Sequence, residues 1–287
     1  MAQSFDTPTL YLIGTPIGNL GDLSLRAAET LRAVDFIAAE DTRVTLKLLN
    51  HLGIKKPLIS YYQHNIDGRS QHILDRIHAG ESGALVSDAG MPAISDPGEL
   101  LIAMAHEQGI PVTAVPGPTA ALTALALSGL PTGRFTFEGF LSTNPRNRRA
   151  HLKELHDEQR TMIFYEAPHK LLSTLADLLA ELGDRPIVLA RELTKLHEEL
   201  LRTTLSGALA HYAQLSPRGE FVLLLAGAEP EAPEAEPLES VAARAEALMA
   251  DGLPASAAAK EAAKGTPYGK SEVYRAICQA EDETKKS

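Results

Sequence analysis

From residue 9 to about 116, short apolar runs alternate with amphipathic stretches, and this rhythm limits the possible folds more than any other feature of the chain. The runs Leu10–Ile13, Phe36–Ala39, Leu58–Tyr61, Ala84–Val86 and Val112–Val115 are too short for helices. Between them, Leu25–Val34, Thr45–Leu52, Ile73–Ala79 and Leu100–Gln108 carry apolar residues at helical spacing. Gly53, Gly80 and Gly109 each follow a helical stretch, where a left-handed residue caps the helix. Strand–helix–strand alternation predicts a mainly parallel sheet with helices on its faces.

Val115-Pro-Gly-Pro118 breaks the rhythm, because two prolines around a glycine stop a strand and redirect the chain. Thr119 then opens an alanine- and leucine-rich helix that ends near Gly129. Phe135–Phe140, Met162–Tyr165, Ile187–Ala190 and Phe221–Leu225 read as strands, with Leu171–Leu182 the clearest helix between them. The expected organisation is an N-terminal α/β domain over 1–116 and a second α/β domain over 117–228. An acidic, proline-rich linker over 229–237 (EPEAPEAEP) and a small helical domain over 238–287 follow. The last domain has helical candidates at 238–250, 255–264 and 271–280. The final two are spaced like a helix-turn-helix, a spacing that plain helical packing pairs share.

With 44% hydrophobic and 22% charged residues, the chain has globular composition. A single cysteine, Cys278, excludes a disulfide framework and any multi-cysteine zinc site. No apolar segment nears the roughly 18–20 residues that span a bilayer, and MAQSFDTPTL has no signal-peptide pattern, so the expectation is a cytoplasmic protein. The net charge of -10 is unevenly spread. Residues 1–228 hold 25 acidic and 20 basic side chains and the remainder 12 and 7, so half the excess lies in the last fifth. An acidic total therefore leaves room for a local basic surface.

Chemistry-bearing residues gather after predicted strands. Val86-Ser-Asp-Ala-Gly-Met-Pro-Ala-Ile-Ser-Asp-Pro-Gly98 contains two Ser-Asp-x-Gly units. Asp88, directly after a parallel strand, stands where open α/β sheets bind ligands, whereas Asp96 reads as an Asx-turn before a helix. Gly14–Gly21 is glycine-rich but lacks the order of a dinucleotide loop, and Gly265–Ser271 has the wrong spacing for a nucleotide-triphosphate loop. Ala38-Ala-Glu-Asp-Thr-Arg43, Phe164-Tyr-Glu-Ala-Pro-His-Lys170 and Ala190-Arg-Glu-Leu-Thr-Lys195 place carboxylates and cations at strand ends. Surface ion pairing accounts for any one of these clusters, and less well for three together. Arg146, Arg148 and Arg149 form the strongest basic patch, suited to phosphate contact or to a solvated helix start. The ten histidines show no metal spacing, so no metal is expected.

Read in order, Leu12-Ile-Gly-Thr-Pro-Ile-Gly-Asn-Leu20, Ala-Ala-Glu-Asp-Thr-Arg43, the Asp88 loop, Pro-Gly-Pro-Thr119, Ser-Gly-Leu-Pro131, Phe-Tyr-Glu-Ala-Pro-His169, Ala-Arg-Glu-Leu-Thr-Lys195 and Gly-Glu-Phe-Val222 resemble the tetrapyrrole methylase superfamily. The likeness is to its branch that methylates small-subunit ribosomal RNA, and it covers residues 9 to about 228. It implies two α/β domains with a cofactor cleft between them and a small C-terminal helical domain. It also implies a homodimer that uses S-adenosylmethionine to methylate the ribose 2′-hydroxyl of a cytidine in the decoding region of 16S rRNA, within the small ribosomal subunit.

In this superfamily the loop usually reads Gly-Asp-Pro, whereas here it reads Ser87-Asp88-Ala89. Carried over residue by residue, Asp88, Met91, Thr119, Ala120, Tyr165, Leu193 and Ala226 are expected at the cofactor. The amide end of the Thr119 helix suits its carboxylate. Glu166 and Glu40 are candidate bases, Lys195 and Arg43 candidate stabilisers of the alkoxide, and Arg146, Arg148 and Arg149 the RNA contacts. Two rivals are a corrin or porphyrin C-methyltransferase and a non-catalytic RNA-binding assembly protein. The Glu-Asp-Thr-Arg string and the basic patch disfavour the first, and the retained Asp88 and Pro-Gly-Pro-Thr loop disfavour the second.

Overall fold

The computed structural model describes residues 7–63, 66–229 and 236–284. The chain divides into two compact units, Met1–Ala228 and Glu229–Ser287. The boundary expected at 116 falls inside the first unit, between two sheets, and most of the expected linker, residues 230–235, lies outside the described residues.

The first sheet holds β1 (Leu10–Ile13), β2 (Phe36–Ala39), β3 (Leu58–Ser60), β4 (Gly83–Val86) and β5 (Val112–Val115), all parallel, in the order β3-β2-β4-β1-β5. Four helices cover it: α1 (Leu25–Ala33), α2 (Thr42–His51), α3 (Ile66–His78) and α4 (Glu99–Glu107). Alternate residues along each strand face opposite sides. Tyr11, Ile13, Ile37 and Val86 pack on Leu31 of α1 and Leu49 of α2. Leu10, Phe36, Ala38 and Leu85 pack on Ile73 and Leu74 of α3 and Leu101 of α4. Burial on both faces makes β1, β2 and β4 continuous apolar runs, the signal that made them readable.

The second sheet is mixed. After α5 (Ala120–Ser128) come β6 (Phe135–Phe140), α6 (Pro145–Glu154), β7 (Thr161–Glu166), α7 (Leu171–Leu182), β8 (Pro186–Arg191), β9 (Glu199–Thr204), α8 (Leu205–Ala213) and β10 (Phe221–Leu225). The order is β6-β7-β10-β8-β9, with β6 parallel to β7 and the other pairs antiparallel. Met162, Phe164, Leu189 and Leu223 face α7 and α8, while Ile163, Val188, Val222 and Leu224 face Ala121, Ala124 and Leu125 of α5.

Strand β9 was not among the expected elements. None of its residues is buried, so Glu199-Leu-Leu-Arg-Thr-Thr204 lacks a core strand's apolar run. The basic patch is the start of α6, where the Asn144 side chain accepts from the N–H groups of Arg146 (3.0 Å) and Asn147 (3.3 Å).

The second unit packs α9 (Leu238–Ala250), α10 (Ala255–Ala262) and α11 (Lys270–Thr284) around Val241, Ala245, Ala258, Ala259, Ala262, Val273 and Ile277. Alanine at four of these positions allows close helix approach. Among the described residues, no helix is long and apolar enough to cross a membrane.

Candidate active site

The carboxyl ends of β1, β2, β4 and β5 form one side of a cleft. The loops after β1 and β4 are stitched by paired Thr15–Gly90 backbone bonds (2.8 and 3.0 Å), and the Thr15 hydroxyl donates to the Ser87 carbonyl at 3.2 Å. The loops after β2 and β4 are laced by their own acids. Asp88 Oδ1 accepts from the Asp41 N–H at 3.0 Å, and Glu40 Oε2 accepts from the Asp88 N–H at 3.4 Å.

The second sheet supplies the facing wall from the last residues of β7 and β8 and the first residues of β10. The Tyr165 hydroxyl accepts from the Ala121 N–H at the start of α5, 3.2 Å away. Lys195 Nζ donates to Glu192 Oε1 at 2.9 Å and to Glu220 Oε2 at 3.3 Å. The resulting cleft has a volume of about 510 Å³, a size that suits a small organic cofactor. Ile17, Met91, Leu193, Phe221 and Val222 give it apolar walls, and Glu40, Asp88, Asp96 and Lys195 give it charge.

Burial pushes the Asp96 carboxyl up to about 6, and repulsion from Glu40 adds to it, while a hydrogen bond from Ser87 opposes it. Burial also raises Glu40, with Asp88 and Asp41 repelling it, and raises Asp88. Three crowded carboxylates favour a cation among them. Burial pulls the Lys195 ammonium down, but Glu192 and Glu220 outweigh it and hold its pKa above the ordinary value.

Backbone strain collects at the same place. Ala93 (φ 67°), Ser95 (φ 65°), Glu192 (φ 52°) and Thr194 (φ 66°) are the non-glycine residues with positive φ among the described residues. All four lie in the two loops, after β4 and after β8, that contribute to the cleft. Side chains other than glycine hold this conformation at a cost, and such strain clusters at functional sites.

Residues 9–209 match the family model for tetrapyrrole (corrin/porphyrin) methylases. The chain belongs to that family. It is 50% identical over 273 residues to a protein of Synechocystis sp. named ribosomal RNA small subunit methyltransferase I, a match covering 95% of this chain and 98% of the relative. A protein of the same name from Thermotoga maritima is 50% identical over 220 residues, covering 77% of this chain and 99% of the relative. Among solved structures, a cobalt precorrin-4 methyltransferase superposes with a TM-score of 0.59 at 17% identity, covering 79% of this chain and 98% of the other, a likeness of fold.

In this methylase-family chain the cleft gathers Asp88, Met91, Thr119, Ala120, Tyr165, Leu193, Glu40, Glu166 and Lys195 from the expected residues. The others stand elsewhere. Ala226 follows the far end of β10. That strand runs antiparallel to β7 and β8, so Phe221, paired with Glu166 and Arg191, is the residue at the cleft. Arg43 is paired with Asp41 (2.6 Å), its side chain 87% exposed, and does not line the cleft. Glu166 lines it, but both its oxygens are engaged, one accepting from the Ala167 N–H (2.8 Å) and the other from the Thr174 hydroxyl. It reads as an anchor between β7 and α7. Arg148 donates to Asp177 (2.5 Å) and Thr174 (2.9 Å) with its side chain 14% exposed, so it braces α6 against α7. Arg146 and Arg149 are exposed. Asp96, read as a turn residue from sequence, lines the cleft, and its signal was the repeated Ser-Asp-x-Gly unit.

Proposed function

We propose that this protein transfers a methyl group from S-adenosylmethionine to the ribose 2′-hydroxyl of a cytidine in the decoding region of 16S rRNA, acting on the small ribosomal subunit. The observation that carries the reading is a cleft lined by three carboxylates and Lys195 together with apolar side chains. The relatives' shared name supports the RNA substrate.

The cleft residues fit the donor. When bound, S-adenosylmethionine supplies a methyl carbon already activated by its positive sulfonium. Glu40, Asp88 and Asp96, carboxylates crowded in the cleft, would hold the cationic groups of the donor. Ile17, Leu193 and Val222 suit the apolar face of an adenosine. The chain's main contribution is alignment, which supplies roughly 7–11 kcal/mol in well-oriented systems. The hydroxyl proton goes to a carboxylate of the cleft, with Glu40 and Asp96 as the candidate bases. Lys195, kept protonated by Glu192 and Glu220, stabilises the developing alkoxide.

The reading includes a cytoplasmic location, which cell fractionation tests, and a homodimer, which sedimentation of the purified protein tests. The decisive experiment is tritiated methyl transfer to small subunits from a strain lacking the modification, followed by nucleoside mapping. Label in 2′-O-methylcytidine is expected. With uroporphyrinogen offered in a parallel assay, label there and none in rRNA would place the chain with porphyrin methylases. An absence of donor-binding heat in isothermal titration would leave a non-catalytic RNA-binding protein.

A further inference from the structure

The apolar lining of the cleft is of two kinds. Ile17, Leu193, Phe221 and Val222 are buried, at 8%, 6%, 2% and 5% exposure, whereas Phe140 and Ile94 are 58% and 55% exposed. The first group forms an inner wall and the second stands open to solvent at the mouth. We infer that Phe140 and Ile94 form the slot that receives the target nucleobase of single-stranded RNA, a specificity role that rests on the rRNA reading above.

A local irregularity aims Phe140 at the mouth. The β6–β7 register runs from Phe137↔Ile163 to Gly139↔Phe164, leaving Glu138 as an extra residue, and Gly139 adopts φ +60°. Such a bulge shifts the alternation of side chains and re-aims the residue beyond it. As a result Phe137 and Phe140 both reach Tyr165, edge to face, with ring centroids 5.1 and 5.6 Å away. Tyr165 is itself tied to the Ala121 N–H, so the Phe140 ring is held in place by a fixed neighbour.

The opposite lip comes from the strained loop after β4. Ser95 Oγ lies 3.4 Å from where a Cβ on Gly139 would stand, which places the residues adjoining Ile94 and Phe140 side by side. Charge complementarity selects a nucleic acid as the occupant. The segment that follows Phe140 carries the exposed Arg146 and Arg149 at the start of α6, cations suited to the phosphates of a nucleic acid. Aromatic faces bind unpaired bases with little sequence preference, and single-stranded nucleotides are the usual targets of RNA recognition.

The test compares wild type with Phe140→Ala, Phe140→Tyr and Phe140→Leu, using methyl transfer to small subunits and titration of S-adenosylmethionine without RNA. Loss of a stacked base corresponds to roughly a 5- to 150-fold change. The expected result is a rise of that order in KM for the subunit with Phe140→Ala, a donor Kd within about twofold of wild type, and recovery with Phe140→Tyr. An unchanged KM, or a donor Kd that weakens in parallel, overturns the inference, the latter placing the ring against the donor. Should Phe140→Ala not fold, Phe140→Leu keeps the bulk without the aromatic face, and a wild-type KM in it overturns the slot. If wild type binds donor but leaves small subunits unmethylated, the function reading fails by itself. Fluorescence anisotropy of a labelled single-stranded RNA still reads Phe140: equal binding by wild type and the Ala variant overturns the slot, and weaker binding by the variant upholds it.

Discussion

Gly14 and Gly117 meet backbone to backbone: a Cβ on Gly14 would lie 2.7 Å from Gly117 Cα, and one on Gly117 would lie 2.8 Å from Gly14 Cα. The loops after β1 and β5 thus cross with no side chain between them, and Met91 Sδ closes the same spot at 2.7 Å. Overpacking a fixed crossing costs about 1–3 kcal/mol. Gly117→Ala is expected to lower the melting temperature and to weaken donor binding. Calorimetry and donor titration check both, and wild-type values would show that the crossing yields to a methyl group.

Asp96 makes stability depend on pH. Its carboxyl is raised to about 6 in the folded protein from 3.8, so the folded state holds its proton more tightly than the unfolded state. Stability is therefore lost as pH rises from about 4 through 6. Asp96→Asn removes that loss. It should melt higher than wild type at pH 7.5, by about 2–4 °C for a screened effect near 1 kcal/mol, and the gap should close near pH 4. A gap that is constant across this range would mean that Asp96 is not the titrating group.

Tyr165→Phe keeps the ring against Phe137 and Phe140 but removes the acceptor of the Ala121 N–H. A stability loss of about 1 kcal/mol by denaturant titration is expected. No loss would mean that water replaces the hydroxyl at the start of α5.

The basic patch should split in two. Neutralising Arg146 and Arg149 is expected to weaken RNA binding and to lower its log–log salt slope by about 0.7 for each phosphate no longer neutralised, with the melting temperature unchanged. Arg148→Ala should instead destabilise the fold, because it strips partners from Asp177 and Thr174. Equal effects on binding from all three would return Arg148 to the RNA surface.

Lys195→Met tests the alkoxide role. A fall of about 10²–10³ in kcat with donor affinity retained is expected by analogy with removal of one oxyanion donor. A change confined to donor Kd would make Lys195 a binding residue.

The first sheet was the most legible part, because strands such as Phe36–Ala39 are buried on both faces and read as unbroken apolar runs. Asp88 could be placed for the same reason, since in an all-parallel sheet every strand's last residue arrives at one edge. Ala226, carried over from the family resemblance, lies past the other end of β10, because the direction of that strand is set by pairing with β7 and β8 far away in the chain. Strand β9 was missed because an edge strand with no buried residue has no apolar run to reveal it.

Alternation of apolar and polar residues, helix caps and glycine placement are local properties, and they were enough to define the layered α/β architecture and the acids at the strand ends. Which acid is free, which arginine is spent on a neighbour and which phenylalanine opens to solvent depend on packing between distant segments. Arg148 and Arg149 are adjacent and chemically identical, yet one faces Asp177 and the other solvent. Burial and charge pairing are set by what packs opposite a side chain, and composition and spacing carry no record of that.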